Sequence, residues 1–381
     1  MPKPEAAEIV IVGGGVIGLS IARALAIRGI RDVLLLERGS LGAEASFAAA
    51  GMLAPQAEAD TQDCFLTLAC RSRDIYEDFA SALLEESGVD VELETTGTLY
   101  LAFDEEGVKE NEERYRWQTR AGLPVDKLTA ADARRLEPCV SEDVVAALRF
   151  PRDMQVENRR LVSALTISAQ KQGVKLRTGV TVQSICFSGE RVTGLETSCG
   201  LVNTRNIVVA AGAWTSFLKA DKALPQIRIE PVRGQMLCFE CNPPITRHVI
   251  YSRRGYVVPR RDGRLLAGST SEATGFDKRV TAAGINSILS SALEIAPQIA
   301  QLPFVDCWAG LRPRAPDGLP VLGACAEIKG LFYATGHHRN GILLAPITGE
   351  LLAEAITEST VTAVMAPFSP SRFAAPRGDK C

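Results

Sequence analysis

Glu8-Ile9-Val10-Ile11-Val12-Gly13-Gly14-Gly15-Val16-Ile17-Gly18-Leu19-Ser20 is the stretch that decides the fold. An apolar, β-branched run over 8–12 ends on three glycines and passes directly into 16–27, where apolar residues recur at helical spacing. Gly29 closes that helix, and 32–37 supplies a second apolar strand, which makes a βαβ unit opening a right-handed parallel sheet. Gly13-x-Gly15-x-x-Gly18 stands between strand and helix, the context a dinucleotide fingerprint requires. Gly13 permits the tight turn, Gly15 lets a pyrophosphate approach the backbone, and Gly18 lets helix and strand pack closely. Val16 and Ile17 begin the helix, whose free N–H groups and positive end suit phosphates. Glu37, 19 positions past Gly18 and followed by Arg38, is placed to accept bonds from ribose hydroxyls. An acid there disfavours a 2′-phosphate but does not separate FAD from NAD.

Outward from this unit, 381 residues exceed what one hydrophobic core usually holds, so two domains are expected. With 46% hydrophobic and 23% charged residues, the composition is that of a folded globular chain. A net charge of −3 exerts no pull toward phosphates and argues against a nucleic-acid partner. No apolar run approaches the roughly 20 residues of a bilayer crossing. Residues 1–5 lack an apolar signal core, so a cytoplasmic protein without a membrane span is expected. The ten cysteines are scattered and read as reduced thiols, and Cys238-x-x-Cys241 has no second pair at zinc-finger spacing. His248, His337 and His338 are the only histidines, too few for a histidine-rich centre, and no metal is expected.

Residues 39–51 form a loop rich in small side chains, and 61–88 read as helical, with Leu66, Ala69, Ile75, Phe79, Leu83 and Leu84 on the buried stripe. A strand of a different, antiparallel sheet is expected over 95–103, then a solvent-facing helix over 104–120. A helix over 161–173 and strands over 174–178 and 180–187 follow, and the buried strand 206–211 runs into Gly212-Ala213-Trp214. A second antiparallel block covers 228–304, with strands at 235–239, 256–259 and 264–268. Residues 331–334 read as a last parallel strand, 342–357 as the helix after it, and the chain past Pro367 is expected to fray. The fold class is therefore α/β. A Rossmann-like parallel-sheet domain is assembled from 1–88, 145–226 and 305–366, and a second, mainly antiparallel α+β substrate domain from 89–144 and 227–304, with 367–381 as a tail. A ligand cleft is expected where the domains meet.

Three further stretches carry a resemblance: Ser46-Phe47-Ala48-Ala49-Ala50-Gly51-Met52-Leu53, Trp308-Ala309-Gly310-Leu311-Arg312-Pro313, and Gly336-His337-His338-Arg339-Asn340-Gly341-Ile342-Leu343-Leu344-Ala345-Pro346. With the glycine turn they resemble the FAD-dependent amine oxidase family that includes D-amino acid oxidase, over residues 8–356. The resemblance implies FAD bound non-covalently. Ser46, Ala50, Gly51 and Met52 would lie along the flavin, where bulk does not fit, and Val182 would meet the adenine end through its backbone. Gly212 would be a further cofactor contact. Gly336, Arg339, Asn340, Gly341, Ile342 and Leu343 surround the start of the last helix, whose positive end would face the flavin's pyrimidine carbonyl.

Arg312 is the expected anchor for a substrate carboxylate, because arginine supplies a planar, two-pronged donor. From the residues alone, an ion pair with Asp306 or Asp317 is equally open. Tyr256 matches the family's active-site tyrosine, and Arg339 and Met52 complete the expected catalytic pocket. His337 is given a backbone role, and neither it nor His338 is expected to act as a base. Where the family tends to carry a histidine, two positions before the tyrosine, this chain has Arg254, which bears on pocket polarity. The implied reaction oxidises the C–N bond of a small amino acid, glycine foremost, with dioxygen as acceptor, in support of thiamine biosynthesis. A homo-oligomer is expected. Two other classes stay open. One is a dehydrogenase acting on a D-amino acid, sarcosine or a proline derivative and passing electrons to a quinone or carrier; the other is an NAD-dependent enzyme or a nucleotide-binding protein without redox turnover.

Overall fold

The strand Ile9–Val12 is buried on both sides, and its side chains alternate between two cores. Ile9 and Ile11 face a layer of helices, while Val10 and Val12 face the opposite side, as expected for the centre of a covered parallel sheet. The computed structural model describes residues 5–220, 227–358 and 360–373. In it this strand belongs to a six-stranded sheet ordered Val321–Ala324, Leu331–Thr335, Asn206–Val209, Ile9–Val12, Val33–Leu36, Lys175–Arg177. All neighbours are parallel except the first pair.

Helices Val16–Ile27, Asn158–Lys171, Tyr76–Ser87 and Gly341–Glu358 cover one face. A five-stranded sheet containing Val182–Ser188 and Arg191–Thr197 covers the other, through Ile185, Val192, Leu195 and Val202. The region 61–88 is two helices, Cys64–Asp74 and Tyr76–Ser87. The second helix buries Tyr76, Ala80 and Leu83, and Leu84, one step further round, is 47% exposed, against expectation. Asp63 starts the first of these helices by accepting a 2.8 Å bond from Leu66 N–H. Asp63→Ala is expected to cost about 1 kcal/mol, read as a lowered midpoint in urea unfolding.

The second half is an eight-stranded sheet ordered Phe304–Arg314, Glu230–Glu240, Arg264–Gly268, Tyr256–Pro259, Val249–Ser252, Thr98–Ala102, Ala146–Phe150, Asp126–Thr129. It is antiparallel apart from the Thr98–Ala102 and Val249–Ser252 pair. Helix Ala282–Ile295 closes one face through Ile288, Ala292 and Ile295. On the opposite face Met236, Tyr256, Val258 and Leu266 pack with Ala50 of the small-residue loop. Cys238 is buried in that cluster, and Cys241 in the helix-covered core.

Hydrogen bonding draws the boundary between the halves differently from the sequence expectation. Ala146–Phe150 pairs with Thr98–Ala102, and Phe304–Arg314 pairs along its length with Glu230–Glu240. Residues 145–150 and 305–314, expected in the parallel-sheet domain, therefore run with the antiparallel sheet. Gly310 and Pro313 hide the second of these strands from a propensity reading. Gly310 sits opposite Gly234, and both are glycine for space: a Cβ would lie 2.5 Å from the Ala48 Cβ at Gly310, and 2.3 Å from the Arg312 guanidinium at Gly234.

Past Pro367 the chain does not fray at once. Turns at Ala366–Phe368 and Pro370–Phe373 bury Phe368 completely, and 374–381 lie outside the described residues. Among the described residues, no helix is long and apolar enough to cross a membrane.

Candidate active site

A cavity of about 570 Å³ runs from the glycine turn to the antiparallel sheet, within the range of cofactor and ligand sites. Gly13, Gly15, Val16, Ile17, Glu37, Arg38, Ser46, Ala50, Gly51, Met52, Val182 and Gly212 line it, together with Tyr256, Arg312, Arg339, Asn340, Gly341 and Ile342. Three expected residues do not. Gly18 packs helix on strand, since a Cβ there would lie 2.0 Å from the Gly13 carbonyl oxygen. Gly336, at φ +74°, turns the chain against Ala315 and Leu319. Leu343 is one helical step past Ile342, and that rotation carries it into the core at 1% exposure.

The turn itself is tightly specified. Gly13 adopts φ +112°, and a Cβ would meet the Ala210 carbonyl oxygen at 2.4 Å. At Gly15 a Cβ would find only Ser46 Oγ, at 3.4 Å, so the space there opens into the cavity. Ser46 Oγ accepts from Val16 N–H at 3.0 Å, and no side chain caps the helix from Gly15. Glu37 accepts from Gly14 and Gly39 N–H at 2.8 Å each, which braces the turn and leaves lone pairs for further donors. Arg38 stacks 3.9 Å over Trp214, another lining residue.

Two side chains unassigned from sequence hold the small-residue loop in place by hydrogen bonds. Asn158 Nδ2 donates to the Ser46 and Phe47 carbonyls at 2.7 and 3.0 Å. Buried Arg260 donates to the Ala50 and Val156 carbonyls at 2.7 and 2.8 Å. Burial holds Arg260 below the usual guanidinium range, at about 10.

At the other end, Arg312 donates to the Thr270 carbonyl at 3.0 Å and to Ser269 Oγ at 2.8 Å. Neither acid open to it from sequence reaches it: Asp317 pairs with Arg372 at 2.7 Å, and Asp306 accepts from Cys307 N–H. Among the described residues, no carboxylate lies within ion-pair distance of Arg312. Burial and the nearby Arg339 charge lower its affinity for its proton, opposed by Tyr256. The Tyr256 hydroxyl donates to the Met236 sulfur, at 3.4 Å and a weak acceptor.

Arg339 is different. It donates to Glu58 at 3.0 Å and to the Tyr251 hydroxyl at 2.8 Å, and the Glu58 charge raises its affinity for its proton. Tyr251 stacks on Tyr256 at 5.8 Å between ring centroids, and burial, then Glu58, pushes its phenol up to about 12. Glu58 and Tyr251 went unrecognised in the sequence, and no motif announces either. Burial depresses His337 to about 3, and its Nε2 lies 3.1 Å from Thr348 Oγ1. Burial and the Arg312, Arg339 and Arg314 charges depress His338 to about 4. Arg254 lies outside the cavity, 65% exposed and paired with Glu294 at 2.5 Å, so it does not set pocket polarity.

The residues present fit an FAD: a helix start beside a glycine with open space, a braced acid at the end of the second strand, a wall of small residues, and a second helix start at Gly341. Residues 8–355 match the model of the DAO family, described as FAD dependent oxidoreductase. This chain belongs to that family. Within it, the chain is 37% identical to the glycine oxidase of Geobacillus kaustophilus (strain HTA426) over 96% of this chain and 97% of that protein. It is also 37% identical to the bifunctional protein ThiO/ThiG of Trichormus variabilis, but spans only 55% of that longer relative. The crystal structure of glycine oxidase from Geobacillus kaustophilus superposes with a TM-score of 0.91, covering 97% of this chain and 99% of that one. The family's FAD dependence accords with the cavity's lining.

Proposed function

We propose that this chain binds FAD non-covalently along the cavity and oxidises glycine, or a similarly small amino acid, with water and dioxygen, to glyoxylate, ammonia and hydrogen peroxide, in support of thiamine biosynthesis. One observation carries the reading: Arg312, a guanidinium with no counter-ion among the described residues, shares one cavity with the Gly13–Gly18 turn and the Gly341 helix start, in a chain resembling glycine oxidases. When bound, FAD supplies the hydride acceptor and the route of electrons to dioxygen. Arg312 takes the substrate carboxylate in two-pronged fashion, and the Tyr256 hydroxyl donates to the same group. The two fix the α-carbon, which contributes through orientation rather than acid–base chemistry. Gly15 and Ile17 present N–H groups to the pyrophosphate beside Val16, whose N–H is held by Ser46 Oγ, Glu37 receives a ribose, Val180, Thr181 and Val182 border the adenine, and Ser46, Ala50, Gly51 and Met52 border the flavin. Asn340, Gly341 and Ile342 direct a positive helix end toward the flavin's pyrimidine edge.

Oxygen-electrode assays with purified holoenzyme test this. Glycine should consume oxygen with equal yields of peroxide and glyoxylate; turnover only with an artificial dye would make the protein a dehydrogenase instead. The pH profile follows from the histidines. Both are depressed below their ordinary range by burial, so both remain neutral above about pH 5 and neither changes charge near neutrality. The proton lost before reaction is then the substrate's own. Log kcat/KM for glycine should rise with a slope of about one between roughly pH 6 and 8, and an inflection near 6.5 would reveal a base in the protein.

A further inference from the structure

Besides Arg38 near the glycine turn, two guanidinium groups line this cavity, those of Arg312 and Arg339, and their charges are treated in opposite ways. Arg312 is held by a carbonyl and a hydroxyl and keeps its full charge for a ligand. Arg339 is ion-paired to Glu58 at 3.0 Å, and Glu58 itself lines the cavity with a side chain 18% exposed. The backbone that carries Glu58 is held by several hydrogen bonds. Glu58 ends the helix Pro55–Glu58, where Gln56 and Ala57 N–H groups donate to the buried Asp153 carboxylate at 3.4 and 3.2 Å. Gln118 donates to the Gln56 carbonyl at 2.8 Å and Arg114 to the Ala57 carbonyl at 2.9 Å, so the helix is clamped from two sides. Around Tyr251 and Tyr256, two positive charges and one negative leave room for one anion.

We infer that Glu58 is a specificity-determining residue: by occupying Arg339 it restricts the substrate end to a single carboxylate, admitting monocarboxylate amines and turning away those with a second acidic group. The inference rests on the proposed reading of Arg312 as the carboxylate anchor. A second carboxylate arriving near Arg339 meets the Glu58 charge, and juxtaposed like charges are strongly unfavourable in a low-dielectric pocket. Selection by repulsion leaves binding of the small substrate intact. Glu58→Gln removes the charge at nearly constant shape and frees the Arg339 donors for a carboxylate, which guanidinium binds in two-pronged geometry.

Calorimetric titration of the FAD-loaded enzyme reads this without turnover, using acetate as the single anion and malonate, succinate and glutarate as dianions of increasing reach. Wild type should bind acetate at least about tenfold more tightly than any of the three. In Glu58→Gln at least one dicarboxylate should gain about tenfold or more relative to acetate, and Glu58→Gln/Arg339→Gln should lose that gain. Arg339→Gln alone leaves Glu58 unpaired and should weaken even acetate about tenfold, an arm that does not depend on Glu58→Gln folding. The inference is overturned if wild type binds a dicarboxylate as tightly as acetate, if Glu58→Gln keeps the wild-type ratios, or if Arg339→Gln leaves acetate binding unchanged. None of these ligands has an amine to oxidise. Absence of glycine turnover would sink the proposed reaction while leaving the ratios readable, and unaltered ratios in an active glycine oxidase would sink this inference alone.

Discussion

Arg312→Ala is expected to leave FAD bound, with an unchanged visible spectrum, while KM for glycine rises about a hundredfold or more from loss of a buried charge-assisted pair. The size of the effect follows from what surrounds the guanidinium. Gly234 lacks a side chain directly beneath it, Ser269 and the Thr270 carbonyl fix its plane, and among the described residues no carboxylate pairs with it. A charge so placed is already desolvated and oriented before a ligand arrives, so the ligand's carboxylate gains nearly the whole interaction. Arg312→Lys should recover only part of the loss, because an ammonium is a point charge without the planar fork. Steady-state kinetics at fixed FAD decide the matter, and an unchanged KM would remove Arg312 from the site.

Asp153→Ala is expected to cost about 1–3 kcal/mol, seen as a fall in the urea midpoint, because it removes the acceptor of two buried backbone N–H groups, while Arg73 keeps Asp74 at 2.9 Å. Asp153 and Arg73 are both fully buried, with 3.6 Å between them. The same carboxylate receives the Gln56 and Ala57 N–H groups, so its removal also leaves two donors unpaired and loosens the turn that carries Glu58. A pH dependence accompanies it. Burial pushes Asp153 up to about 7, against the pull of Arg73. The folded chain therefore keeps a proton that the unfolded chain releases above about pH 4, so this group's contribution to stability declines as pH rises from about 4 to 7. Asp153→Asn should remove that part of the stability–pH profile, and a slope identical to wild type would show that Asp153 does not titrate there.

The nucleotide-facing half was legible because its signals are local. The run at 8–12, the glycines, the helix at 16–27 and Glu37 lie within thirty residues and need only their own neighbours to be understood. The helix bounds Val16–Ile27 and the strands Tyr256–Pro259 and Arg264–Gly268 coincide with the reading for that reason. What escaped depends on distant partners. Phe304–Arg314 contains glycine and proline, residues that weaken a strand prediction, yet Gly310 is there because Ala48 lies against it. Helix Ala282–Ile295 was hidden in part by Gly284, whose missing Cβ makes way for the Gln235 amide, where a side chain would come within 2.3 Å. Glu58 gains its meaning only from Arg339, 281 positions away, and nothing in a four-residue helix signals such a pairing. Leu343 shows the converse case, a motif residue whose helical phase turns its side chain away from the cavity.

A crystal structure of the FAD-loaded protein with glycolate bound would settle how these parts work together. The isoalloxazine should lie between the Gly51–Met52 wall and the helix start at Gly341, and the ligand carboxylate should sit on both Arg312 nitrogens at about 2.8 Å. Glycolate held by Arg339 instead, or a flavin ring lodged away from Gly341 with the Arg312 guanidinium contacting no ligand, would contradict the arrangement proposed above.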